Sequence, residues 1–152
     1  MPIRLATKSD IPAMVDLLAE LFLLEPDFHF QADIHARGFD LLMDSPMAKI
    51  LVYESREGTI DGMVTFQPHI STAFGCQDAI LEDLVVRKEK RSVGIGSKLL
   101  EGAEKFAWKT GFKRLRLSVD MENTPAQHFY ESKGWKTGRM LNWYRVLREE
   151  PN

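Results

Sequence analysis

The stretch Leu81-Glu82-Asp83-Leu84-Val85-Val86-Arg87-Lys88-Glu89-Lys90-Arg91-Ser92-Val93-Gly94-Ile95-Gly96-Ser97-Lys98-Leu99-Leu100 decides how this chain is read. Its first six residues are apolar apart from two adjacent carboxylates, which suits a strand. A turn with two glycines follows. Ser97 to Thr110 then places Leu99, Leu100, Ala103, Phe106 and Ala107 on one helical face, and Gly111 supplies a left-handed stop. Glycines let successive N–H groups point into one concavity without obstruction by Cβ. The helix start adds unpaired donors and the positive end of its dipole. Together these make an anion cradle suited to phosphate or diphosphate, with Arg87, Lys88, Lys90 and Arg91 around it.

Three phosphate-binding patterns compete for this loop. A P-loop needs Gly-x-x-x-x-Gly-Lys-Ser/Thr, and Gly94 and Gly96 stand too close together for it. A dinucleotide fingerprint needs a third small residue where Leu99 stands, and it belongs to an opening β-α-β unit rather than to a late strand. Arg-x-x-Gly-x-Gly remains, matched by Arg91, Gly94 and Gly96. A plain strand-to-helix connection without a ligand is the alternative.

Working outward, Ile3-Arg4-Leu5 is a short extended start. Thr7 or Ser9 can cap a first helix, which tolerates Pro12 in its first turn, runs through Ile11, Met14, Val15, Leu18, Leu21 and Phe22, and is stopped by Pro26. A weaker helix spans about Asp33 to Met43. Lys49 to Glu54 and Thr59 to Gln67 read as strands joined through Arg56-Glu57-Gly58. Ala79 to Arg87 is a third run, and Leu115, Leu117 and Val119 alternate with polar residues as a half-buried strand should. Asn123-Thr124-Pro125 opens a last helix that reaches about Ser132 before Gly134. Met140 to Leu147 is expected as a final strand or pair of strands. The order β-α-α-β-β-β-α-β-α-β, with one more strand if the tail pairs, predicts a three-layer α/β arrangement around a mixed sheet.

The chain has 152 residues, 44% hydrophobic and 28% charged, with a formal net charge of −2. That is an ordinary globular mixture sized for one domain over 1–152, not the footprint of a protein that grips nucleic-acid phosphates. A single cysteine, Cys76, allows no internal disulfide. Met1-Pro2-Ile3-Arg4 does not begin an apolar signal core, and the greasiest segment, Leu17 to Leu24, is broken by Glu20 and far short of a membrane span. A soluble cytoplasmic protein, with neither membrane nor nucleic acid as partner, is expected. His29, His35, His69 and His128 lack metal-like spacing, so no metal is expected either.

Two further blocks give the loop its context. The chain opens Ile3-Arg4-x-Ala6-Thr7-x-x-Asp10, and near its end carries Asn123-x-x-Ala126-x-x-Phe129-Tyr130-x-x-x-Gly134-Trp135. With the Arg91–Gly96 loop between a strand and a helix, the chain resembles the GNAT superfamily of N-acetyltransferases over nearly its whole length. That resemblance implies a mixed, mostly antiparallel α+β sheet with helices on both faces, and acetyl-CoA as donor. The backbone amides of Arg91, Ser92, Val93, Gly94, Ile95, Gly96 and Ser97 would hold the diphosphate. The strand edge at Leu84, Val85 and Val86 would pair with the pantetheine amides. Ser92 departs from the pattern, since many members carry glycine there.

Acetyl transfer to an amine poses two proton problems: an alkylammonium must lose a proton before it attacks, and a departing thiolate must gain one. Glu82 is the candidate base. Leu81-Glu82-Asp83-Leu84 looks like the equivalent strand of diamine (spermidine/spermine-type) acetyltransferases, where this Glu deprotonates the amine through water. An exposed carboxylate in a salt bridge is the alternative, and Asp83 reads as structural or as an outer charge. The resemblance makes Tyr130 the candidate acid beside the sulfur; a core aromatic is its alternative. A backbone N–H from Leu84 to Val86 is expected to stabilise the thioester oxygen. Asn123 either bonds the pantetheine arm or caps its helix. Cys76 has no role, since direct attack needs no acyl-enzyme, and His128 is a reserve for proton transfer.

Residues 25–44 hold Glu25, Asp27, Asp33, Asp40 and Asp44 against Arg37. If they line the acceptor cleft they attract a cationic amine, a diamine or polyamine among them; otherwise they are a solvated face. Acetylation of a protein N-terminus, a lysine or an amino acid, and a non-catalytic acyl-CoA sensor, are the other readings. The aromatic pair Trp143-Tyr144 could serve a homodimer or pack onto its own sheet.

Overall fold

The computed structural model describes residues 2–147. Five strands form one sheet in the order β1-β2-β3-β4-β5: β1 Ile3–Leu5, β2 Lys49–Glu54, β3 Ile60–Ser71, β4 Cys76–Val86 and β5 Arg114–Leu117. The first four are antiparallel neighbours; β5 joins β4 in parallel. Four α-helices connect or follow them: α1 Ile11–Phe22, α2 Ala32–Asp44, α3 Ile95–Lys109 and α4 Thr124–Ser132. This is the mixed, mostly antiparallel arrangement that the resemblance implied. Contacts group the chain into a body up to Asp120 and a C-terminal unit from Met121 on.

Side-chain alternation sorts the body into layers. Ile50, Val52, Met63 and Val85 face α1 and α2, where Met14, Val15, Leu17, Leu18 and Phe39 close a core. The opposite face takes α3, which buries Leu99, Leu100, Ala103 and Ala107. That helix lies so close to the sheet that a Cβ on Gly62 would come within 2.8 Å of Leu99 Cδ1 and 3.1 Å of the Val85 carbonyl. Glycine is required there by space. At the start of α1, the buried Asp10 carboxylate accepts the Thr7 N–H at 2.7 Å and pairs with Arg4 at 2.8 Å. Arg4 holds the Asp10 carboxyl down at about 2, well below the ordinary range.

Two expectations need correction. β3 and β4 form a longer hairpin than the apolar runs suggested, reaching Ser71 and Cys76, so Cys76 begins a strand. Pro68 hides this in the sequence, because proline usually ends a strand reading. The pairing of β3 with β2 stops at Phe66, so Pro68 sits where one edge of β3 needs no donor. In the C-terminal unit, α4 forms as expected, but Met140 to Leu147 makes no strand. Its apolar residues come in doublets, Met140-Leu141, Trp143-Tyr144 and Val146-Leu147, each separated by one polar residue. A period of three cannot bury one face of a two-fold ribbon, and these side chains are exposed.

Candidate active site

The site begins at an irregularity in β4. Thr65 pairs with Glu82 and Met63 with Val85, so Asp83 and Leu84 oppose Val64 alone. This is a β-bulge, which bends its strand and re-aims side chains. Asp83 takes φ +53°, a left-handed conformation that Asp tolerates better than most residues. At this bulge Glu82 is exposed, while Asp83 is half-buried. The buried Thr65 hydroxyl lies 3.1 Å from the Glu82 carbonyl and 3.3 Å from Asp83 Oδ2, and can donate to either. Burial, and after it the Glu82 carboxylate, push the Asp83 carboxyl up to about 6, with Glu25 adding to the rise and Thr65 opposing it. Glu25 is itself raised, first by burial and then by Asp120 and Glu82. Glu25, Glu82 and Asp120 thus form a group of carboxylates that a cation would relieve.

The same irregularity opens an edge. β5 pairs with Asp78 to Leu81 only, leaving Glu82 to Val86 without a neighbour on that side among the described residues. Strand N–H and C=O groups there are available to an extended ligand. The chain then turns into the loop, where Ser92 has φ +65° and Gly94 φ +89°. Gly94 is the N-cap of α3 and provides no capping side chain; a Cβ on it would meet nothing within 4 Å. The first N–H groups of α3 therefore face open space. Arg91 does not reach outward. Its Nε–H donates to the Val86 carbonyl at 2.9 Å and its guanidinium lies 3.6 Å from Glu20, which also accepts the Lys88 N–H at 2.7 Å. Arg91 shapes the loop, and the anion donors are backbone.

A cavity of about 410 Å³ is bounded by residues of α1, α2, β3 and β4. Leu18, Ile34, Phe39, Leu41 and Leu42 give it apolar walls, with His35, Gly38, Ser45, Gln67 and Asp83 completing it. His35 Nε2 accepts the Gln31 N–H at 2.8 Å, so in this arrangement the ring proton is on Nδ1. Asp83 is then the charged group of the lining.

Comparison with known proteins fits this geometry. The model of the Acetyltransferase (GNAT) family matches residues 11–135. The chain belongs to that family. It is 28% identical over 139 residues, 90% of either chain, to YhfO of Bacillus subtilis (strain 168), described as an uncharacterized N-acetyltransferase. A crystal structure of a transcriptional regulator from Bacillus halodurans C-125 superposes with TM-score 0.80 at 28% identity, covering 95% of this chain and 98% of that one. The aminoglycoside N-acetyltransferase AAC(6′)-Iy, in complex with CoA, shares the fold at TM-score 0.80 and 18% identity, covering 95% and 93%. This GNAT protein is an acetyl-CoA-dependent N-acetyltransferase.

Within this GNAT chain, Leu84, Val85 and Val86 form the open edge, and Arg91 to Ser97 form the loop and first turn, as the sequence suggested. Ser92 sits at a positive φ, which explains why glycine is common there. Asn123 is the N-cap of α4, its Oδ1 accepting the Ala126 N–H at 3.2 Å. Tyr130 is half-buried in the C-terminal unit, with ring centroids 5.2 Å from Phe129 and 5.7 Å from Trp135. Cys76 is raised by burial and by Asp78, which keeps a thiol protonated. The acidic stretch does not form one wall. Lys8 Nζ lies 2.8 Å from Asp40 and 3.0 Å from Asp44, so two of the five carboxylates are paired elsewhere, and Glu25 alone joins the Glu82 group. Thr65 and Gly38 escaped sequence reasoning, and Asp83 was read there as structural or as an outer charge; the doubled carboxylate at 82–83 was the one signal available. No described helix is long and apolar enough to cross a membrane.

Proposed function

We propose that this acetyltransferase passes the acetyl group of acetyl-CoA directly to a small cationic primary amine, with Glu82 as base and Tyr130 as acid. The observation that carries the donor half is the Arg91–Gly96 loop. An N-terminus of α3 with no capping side chain, open space at Gly94 and an unpaired edge at Leu84 to Val86 suit a diphosphate followed by an amide-bearing arm. The donor supplies an activated acyl carbon, and a backbone N–H of the Leu84 to Val86 strand would stabilise its oxygen.

In the transfer a C–N bond forms and the C–S bond breaks. Two protons leave the nitrogen: one reaches solvent through Glu82, directly or through water, and the other replaces the proton that Tyr130 gives to sulfur. The role of Tyr130 rests on the Asn123-to-Trp135 motif. Asn123 contributes to the pantetheine site through its amide nitrogen, since its oxygen caps α4. The carboxylates Glu25, Glu82, Asp83 and Asp120 favour a cation over an acid. A polyamine is the extended version of this acceptor, and a lysine or peptide amine would use the same charges. Cytoplasmic residence and a homodimer belong to the same reading.

The test is direct. Acetyl-CoA should raise the melting temperature of the purified chain, and free thiol should appear only when an amine is added. Glu82→Gln should lower kcat by roughly 10²–10⁴-fold with little change in acetyl-CoA affinity. No thermal shift with acetyl-CoA or CoA would end the donor assignment; full turnover in Glu82→Gln and Tyr130→Phe would end the proton-transfer roles alone.

A further inference from the structure

Gly38 sets the question. It sits in the middle of α2, where glycine weakens a helix relative to alanine. Usual reasons for such a residue are missing: its φ lies outside the left-handed region, and a Cβ built on it meets no atom within 4 Å. What a side chain there would occupy is the cavity that Gly38 lines with Asp83.

The rest of the cavity speaks to its contents. Its walls are Leu18, Ile34, Phe39, Leu41 and Leu42, and of these Ile34 and Leu41 remain 43% and 68% exposed, forming an apolar mouth. Phe22 stacks on Phe28 and meets His35 edge-on, and Phe30 also packs against that ring, so the ground beside the cavity is aromatic. About 410 Å³ is in the range of small-molecule pockets. Asp83 reaches this space from a bulge that gives it a left-handed backbone, and Thr65 is its one hydrogen-bonding partner among the described residues. Asp40 and Asp44 do not line the cavity and are held by Lys8. Glu25, Glu82 and Asp120 do not line the cavity.

We infer that this cavity is the acceptor pocket and selects a primary monoamine with an apolar, aryl-sized body, its ammonium held by Asp83 and its body in the space left by Gly38. The inference rests on the acetyltransferase reading above and narrows its acceptor. One ammonium finds one lining carboxylate, and an apolar body finds leucine and phenylalanine. Inside the cavity a second ammonium would meet apolar walls and no second lining carboxylate, where an unpaired cation is costly. Asp83 is a specificity-determining residue here, and Glu82 keeps the proton-transfer role.

The experiment compares 2-phenylethylamine, propylamine and spermidine as acceptors, by thiol release and by calorimetric binding to the CoA-saturated protein. The wild type should use 2-phenylethylamine with kcat/KM at least ten-fold above spermidine. Gly38→Leu should cost 2-phenylethylamine ten-fold or more while changing propylamine less than three-fold, and Gly38→Ala should raise the melting temperature. Asp83→Asn should raise KM for both monoamines at least ten-fold with kcat changed less, the reverse of Glu82→Gln. Asp83→Asn keeps the side-chain shape and tolerates the left-handed backbone, and a near-ultraviolet circular dichroism spectrum reports its fold. Spermidine as the better acceptor, or equal losses for large and small amines in Gly38→Leu, would overturn the inference while acetyl-CoA binding left the enzyme reading standing. Absence of acetyl-CoA binding would remove both.

Discussion

Two carboxylates on one strand, five residues apart, have opposite fates. Asp78 is fully buried, yet Arg114 lies 2.9 Å away and Arg116 3.8 Å, both from the neighbouring β5. Asp83 lies beyond the point where β5 stops, beside Thr65 and close to Glu82 and Glu25, and its carboxyl is pushed up to about 6. The first half of β4 has a neighbour on each side and a countercharge for its acid. The second half pairs with one strand among the described residues, and has a bulge and an acid without an ion-pair partner there. The contrast separates what holds the sheet together from what is kept poised for a ligand.

The largest effect should come from the paired half. Asp78→Ala removes the partner of two arginines and leaves a buried hole. Removing one member of a buried pair costs about 3–5 kcal/mol. Arg114 and Arg116 are 42% and 43% exposed and can rehydrate, so about 2–3 kcal/mol is expected here. Urea denaturation measures it. Activity per folded molecule should hold within about two-fold; a larger loss would mean that the paired half also shapes the site.

The second prediction has the opposite sign. Below pH 3.8 Asp83 is protonated whether folded or unfolded. Between 3.8 and about 6 the folded state binds the extra proton, so stability falls as pH rises through that window and then stays level. A shift of this size is about 3 kcal/mol. Asp83→Asn escapes the loss, and should be more stable than the wild type by about 2–3 kcal/mol at pH 8 and by almost nothing at pH 3.5, while binding amines worse. Equal stabilities at pH 8 would put Asp83 on the same footing as Asp78.

Why the two halves differ was only partly open to sequence reasoning. The loop from Arg91 to Gly96 and α3 behind it were legible because their signals are local: two glycines, a basic run and one apolar stripe. Strands β2 to β5 were legible for the same reason. The acceptor side was not. Its cavity is assembled from α1, α2, β3 and β4, and nothing within any one of them says that Gly38 and Asp83 share a space. The acidic stretch misled because Lys8, which binds Asp40 and Asp44, lies 32 and 36 residues earlier. Met140 to Leu147 misled because β-propensity was read without the period a strand requires. That Asp83 sits at a bulge was hidden as well, because a bulge is a property of pairing with β3.

The smallest effect tests the contact that keeps Asp83 from rising further. Thr65 is 1% exposed, and Thr65→Val preserves its shape while removing the hydroxyl that meets both the Glu82 carbonyl and Asp83 Oδ2. Loss of one such bond costs about 1 kcal/mol. Because the hydroxyl favours the ionised acid, the cost should depend on pH. Against the wild type, Thr65→Val should be slightly destabilised at pH 4, where Asp83 is mostly protonated, and more so at pH 8, where the carboxylate has lost its donor. Asp83→Asn should erase that pH dependence in the double variant, leaving only the part owed to the Glu82 carbonyl. A deficit of the same size at both pH values would mean that Thr65 serves the bulge backbone alone, and that Asp83 is held by shape rather than by charge.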